Sequence, residues 1–94
     1  MTFENSRDSV SREVRIPLRR VDAVYGADNR DNAADDVVYC LRCVSGFLDQ
    51  YQMEIRVDTS QDNPWYHAMV CRIDDISDSH FARFLKRLAE LKLA

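Results

Sequence analysis

From Tyr51 to Asp58 the chain alternates without a break, with Tyr51, Met53, Ile55 and Val57 interleaved with Gln52, Glu54, Arg56 and Asp58. A side-chain period of two marks a strand with one buried and one wet face. The turn-forming stretch TSQDNP follows, and WYHAMVCRI (65–73) reads as a second strand. The pair is expected to form an antiparallel hairpin with a longer-than-minimal connection. Its apolar face has to be covered, and the C-terminal segment offers the cover. There Phe81, Phe84, Leu85, Leu88 and Leu91 form one helical stripe, with Arg83, Lys86, Arg87 and Glu90 mostly off it. Ser77 is placed to cap this helix, Ile76 and Phe81 have staple spacing, and Asp78 sits in the first turn, where the helix dipole favours it.

Two further elements precede the hairpin. Over residues 12–19, from Val14 onward, apolar Val14, Ile16 and Leu18 alternate with Arg15, Pro17 and Arg19, a half-buried strand. Pro17 lacks an N–H, so this strand belongs at a sheet edge. Gly26–Ala34, GADNRDNAA, reads as an exposed acidic loop. Residues 33–50 admit two readings. Asn32 could cap a helix whose stripe is Val37, Leu41, Val44, Leu48 and Tyr51. Alternatively, VVYCLRCV is rich in strand formers and Ser45-Gly46 could turn a hairpin, while Gly46 inside a helix would cost about 1 kcal/mol. The expected fold is therefore α+β, an antiparallel sheet of three to four strands with one or two helices on one face and a C-terminal amphipathic helix.

With 94 residues, no internal repeat and two distant prolines, the chain reads as a single domain over 1–94, with residues 1–11 as a flexible lead-in. A content of 46% apolar and 31% charged residues is that of a folded chain. No stretch approaches the roughly 18 apolar residues of a membrane span, and MTFENSRDSVSREVR lacks the apolar core of a secretion signal. Three cysteines cannot all pair within the chain, so free thiols in a cytoplasmic setting are expected.

Charge is segregated along the chain. Residues 1–20 carry +2, residues 21–81 carry −8 and residues 82–94 carry +3, giving the net −3. Aspartate outnumbers glutamate three to one, and a short carboxylate has less rotamer entropy to lose when held in a fixed array. Asp35 and Asp36, and Asp75 and Asp78, can be explained as favourable charges at helix starts. Asp28, Asp31, Asp58 and Asp62 fall in expected loops or at a strand end, where they add repulsion without a local partner.

Other chemistry is thinly supported. Cys40-x-x-Cys43 and His67-x-x-x-Cys71 supply four donors of the types zinc accepts, but cysteines serve equally as small buried hydrophobes. His67 and His80 beside Asp62, Asp74, Asp75 and Asp78 are ingredients of acid–base work without an arrangement. GxSxG, GxGxxG, P-loop and HExxH motifs are all missing, so no enzyme and no cofactor are expected. Arg12, Arg15, Arg19 and Arg20 make a local basic strip, yet in an acidic protein direct nucleic-acid binding is a minor reading and edge-strand protection the simpler one.

Duplex DNA carries about one negative charge per 1.7 Å of axis, and proteins bind it through grooves lined with Lys and Arg. Carboxylates about 6.6 Å apart on one strand face, or about 5–6 Å apart on a helix, can occupy such a groove. In its length, its aspartate content and the segments GADNRDNAADD and DDISDSH, the chain resembles the DNA-mimicking anti-CRISPR proteins of phages that act on type I-F surveillance complexes. The resemblance implies a cytoplasmic inhibitor in an infected bacterial host that occupies the basic target-DNA channel of a Cascade-like complex and catalyses nothing. The charge reading makes Asp28, Asp31, Asp35, Asp36, Asp58, Asp62, Asp74, Asp75 and Asp78 the candidate phosphate mimics. Two alternatives stand beside it: a small regulatory protein that binds its partner through an apolar face including Trp65 and Tyr66, and a small zinc protein.

Overall fold

Ala68-Met69-Val70-Cys71 is the longest fully buried run among the described residues, and the strand that carries it is the centre of the sheet. The structure, a computed structural model, describes residues 11–46 and 51–94. In chain order the elements are β1 (Ser11–Pro17), α1 (Leu18–Tyr25), α2 (Arg30–Val44), β2 (Met53–Asp58), β3 (Ala68–Asp74) and α3 (Asp78–Glu90). Short 3₁₀ turns lie at Ala27–Asn29 and Pro64–Tyr66. The sheet order is β1-β3-β2, with β3 antiparallel to both neighbours. This is the expected α+β class, with a three-stranded antiparallel sheet and a C-terminal helix.

Register decides which residues share a face. On one side Val14, Cys71 and Ile55 form a row, as do Ile16, Met69 and Val57. Met69, Cys71 and Ile73 from this side join Ala33, Val37, Cys40, Leu41 and Val44 of α2 and Phe84 and Leu88 of α3 in one buried cluster. Phe84, Leu88, Val37 and Cys71 are wholly buried, and each of the first three contributes roughly the 1.5–3 kcal/mol of a fully buried apolar side chain. The expected stripe of α3 is the one observed, with Phe81, Leu85 and Leu91 partly buried along its margins. Ser77 accepts a hydrogen bond from the His80 N–H, and Asp78 occupies the first turn.

The structure revises several of the expected boundaries. Leu18 and Arg19 do not continue the first strand. Pro17 donates nothing to the ladder and closes β1, and the Leu18 N–H turns to the His67 carbonyl, 2.9 Å away, to open the unforeseen helix α1. The stretch 26–34 is not a loop. After Gly26, with φ of 92°, one 3₁₀ turn leads directly into α2, whose N-cap position is Asn29 rather than Asn32. Asn29 does not use its side chain as a cap and instead donates to the Tyr25 carbonyl. The helix reading of 33–50 holds as far as Val44, and Gly46, at φ 74°, follows the helix end instead of weakening its interior. Leu48 lies outside the described residues, as does the expected lead-in over 1–11 except Ser11, which opens β1, and Tyr51 precedes β2 instead of extending the helical stripe. Residues 65–67 leave the ladder because Pro64 starts a 3₁₀ turn and the Asn63 side chain accepts from the Trp65 N–H.

Candidate functional site

The face of the sheet away from the helices is wet and internally neutralised. Glu13, Arg72 and Glu54 form one row across the three strands, and Arg15, Val70 and Arg56 form the next. Arg15 reaches across β3 to Asp58 at 3.0 Å, and Arg56 reaches back to Glu13 at 3.9 Å. Val70, between the two arginines in the register, and Ala68 are the buried residues of this face. Arg72 lies 3.6 Å from Glu54 and 3.8 Å from Asp74. The Asp58 carboxylate also accepts from the Ser60 hydroxyl and N–H, and these bonds, with Arg15, hold its pKa well below the ordinary carboxylate value.

The nine candidate aspartates do not share one surface. Asp58 and Asp74 are committed to the open sheet face, at opposite ends of the hairpin, and Asp78 pairs with Arg12 at the start of α3. Asp62 is exposed in the β2–β3 connection, and Asp75, exposed after β3, has φ 59°, which aspartate tolerates better than most residues. Asp28, Asp31, Asp35 and Asp36 remain, and these the fold does bring together.

Asp28 is exposed in the 3₁₀ turn that leads into α2, and Asp31 and Asp35, four residues apart, share the exposed side of the helix, while Asp36, also exposed, lies one position further round toward the groove with α3. Among the described residues none forms a salt bridge, whereas Asp22, on the neighbouring helix, is held by two hydrogen bonds from Arg30 at 2.9 and 2.8 Å. That bidentate contact lowers the Asp22 pKa and raises that of Arg30, and it takes up the cation nearest in sequence to the quartet. Among the described residues the quartet's one side-chain hydrogen bond comes from an uncharged group, the Tyr25 hydroxyl, which donates to Asp36 at 2.7 Å. Burial first, then Asp36, push the Tyr25 phenol up to about 12. The early helix start also changes which charges the dipole explains. Asp31 now sits in the first turn, while Asp35 and Asp36 lie beyond it, where the dipole favours them little.

The cysteines and histidines go elsewhere. Cys40 and Cys71 are buried, and desolvation raises both thiols, Cys71 to about 11. Cys43 is partly exposed in a groove between α2 and α3 lined also by Asp36, Tyr39, Arg87 and Glu90. The His67 Nε2 meets the Gln61 carbonyl at 2.8 Å, and the His80 Nδ1 meets the Tyr51 hydroxyl at 2.6 Å. Cys40, Cys43, His67 and Cys71 therefore do not converge, and among the described residues no group of three or more His, Cys, Asp or Glu side chains is placed to hold a metal ion. Nor does either histidine share a hydrogen bond with a carboxylate among the described residues.

One feature escaped the sequence reading. Arg19 stacks on Trp65, its guanidinium 3.9 Å from the ring centroid, and donates to the Trp65 carbonyl at 3.0 Å. No periodicity signals a contact between residues 46 positions apart.

No protein-family model, curated protein or solved structure matches the chain. Among the described residues no helix is long and apolar enough to cross a membrane.

Proposed function

We propose that the protein is an acidic decoy, presenting the outer side of α2 to the Lys- and Arg-lined groove of a nucleic-acid-binding machine. The observation that carries this reading is selective. The fold gives Glu13, Asp22, Glu54, Asp58, Asp74 and Asp78 a cationic partner, and it leaves Asp28, Asp31, Asp35 and Asp36 exposed and, among the described residues, without one. Grouped like charges cost stability, a cost that a basic partner recovers on binding. A helix is a firm support for them, and its neighbouring carboxylates, about 5–6 Å apart, are spaced closely enough to meet successive basic side chains. The resemblance to DNA-mimicking anti-CRISPR proteins narrows the partner to the target-DNA channel of a type I surveillance complex in the bacterial cytoplasm. On this reading the protein excludes DNA and performs no chemistry.

The test is a binding titration of the purified protein against a type I-F surveillance complex, with target duplex as competitor. Wild type should bind and be displaced by the duplex. Changing Asp28, Asp31, Asp35 and Asp36 together to Asn should cost tenfold or more in affinity, about 1.4 kcal/mol. Changing Asp62 and Asp75 to Asn should cost little, because those charges lie elsewhere. Equal affinity for wild type and the α2 quadruple variant would contradict the proposal.

A further inference from the structure

At the corner where β1 meets α1, Trp65 and Tyr66 stand out of the surface with 58% and 59% of their areas exposed, the two large aromatic side chains that one 3₁₀ turn presents side by side. Exposure of this extent usually accompanies a mobile loop, but this turn is tied at each position. The Asn63 side chain accepts from the Trp65 N–H at 3.0 Å, and the Tyr66 N–H donates to the Asn63 carbonyl at 3.0 Å. The His67 N–H donates to the Pro64 carbonyl at 3.1 Å, and the His67 carbonyl accepts from Leu18. Arg19 then lies against the indole and the Trp65 carbonyl together. The rings are therefore pre-positioned, so a ligand that stacks on them need not first order the turn.

The groove beside them, about 220 Å³, is lined by Arg15, Pro17, Arg19, Trp65, Tyr66 and His67. It is open and shallow, with space for one planar group and its substituent. Its charges are distinctive in a chain of net charge −3. Arg15 is balanced by Asp58, while Arg19 and its neighbour Arg20, exposed on α1, have no carboxylate partner among the described residues. Asp62, exposed in the same connection, is the acidic residue nearest in sequence to the Trp65–Tyr66 turn. Flat aromatic faces flanked by unbalanced guanidinium groups match one ligand class by charge and by shape. Unpaired nucleobases stack on the rings, and their phosphates meet the arginines.

We infer that the Trp65–Tyr66 corner, with Arg19 and Arg20, is a binding site for single-stranded nucleic acid, separate from the acidic side of α2. Net charge argues against such a contact for the molecule as a whole, but charge is segregated, and the corner is its locally basic part. A duplex, whose bases are already stacked, offers the rings no free face.

Trp65 is the only tryptophan, so its fluorescence reports on this site alone. The experiment titrates the intact protein at low salt with oligothymidylate and oligouridylate, and in parallel with a duplex and a proline-rich peptide. Saturable quenching by the single strands, fading as salt rises, is expected, with a much weaker response to the duplex. By anisotropy of a labelled oligonucleotide, Trp65→Ala, Tyr66→Ala and Arg19→Glu should each lose about tenfold in affinity, and Asp62→Asn should gain. Unchanged melting temperatures would show that the variants fold. Because the α2 quadruple variant should bind oligonucleotide at least as well as wild type, failure here is distinguishable from failure of the decoy reading. No quenching by single strands, quenching by the peptide alone, or affinity indifferent to Tyr66 and Arg19 would overturn the inference.

Discussion

Asp58 shows how one short side chain is removed from the list of available charges. Its carboxylate is held by the Ser60 hydroxyl and N–H and by Arg15 across the sheet, and its pKa falls below the ordinary value. A carboxyl whose folded-state pKa is depressed stabilises the fold fully above its unfolded value of about 3.9 and loses that contribution as pH falls through the folded value. Asp58→Asn should therefore lower the melting temperature at neutral pH, and the gap to wild type should close as pH drops below about 4. A gap of constant width from neutral to acid pH, followed by circular dichroism, would show that the effect is not the charge. The same logic applies to Asp22 beside Arg30, whose pKa is also lowered. Only an aspartate without such a partner keeps its charge available to another molecule.

At the scale of elements, helix ends decide where the charges sit. The Ser77 hydroxyl caps α3 by accepting from the His80 N–H, and Ser77→Ala should cost about 1 kcal/mol in denaturant unfolding. Gly46, at φ 74°, has open space around the position of an added Cβ, so Gly46→Ala is opposed by backbone strain alone, of about 1–2 kcal/mol. A stabilising Gly46→Ala would mean that α2 runs on past Ser45. The hairpin, the edge strand and α3 were legible in the sequence because each carries its own period, two for Met53-Ile55-Val57 and Val14-Ile16, and 3.6 for Phe81-Phe84-Leu88. The class of fold followed from them. What was not legible depended on partners distant in sequence. Eight residues are too few for a clear helical period in α1, whose start is fixed by the His67 carbonyl of a remote turn. The early start of α2 rests on Arg30 meeting Asp22, in a segment whose Gly, Asn and Asp content signals a loop. For the same reason the sequence could supply Asp28, Asp31, Asp35 and Asp36 but could not separate them from the five that the fold neutralises or disperses.

For the whole molecule, segregation of charge along the chain becomes segregation in space. One sheet face is balanced by its own cross-strand pairs, the 3₁₀ turn before α2 and the first half of α2 present four exposed aspartates, and the Trp65–Tyr66 corner is basic and aromatic. Exposed charges act over about a Debye length, roughly 8–10 Å at physiological salt, so regions farther apart than this behave nearly independently. This independence is what the account requires. The most direct measurement is the affinity for a type I surveillance complex between roughly 50 mM and roughly 200 mM salt, for wild type and for the Asp28→Asn, Asp31→Asn, Asp35→Asn and Asp36→Asn combination side by side. The account predicts a steep loss of wild-type affinity with salt and a much shallower loss for the variant, the two curves approaching each other at the high-salt end. Parallel curves, or a wild-type affinity that ignores salt, would contradict it.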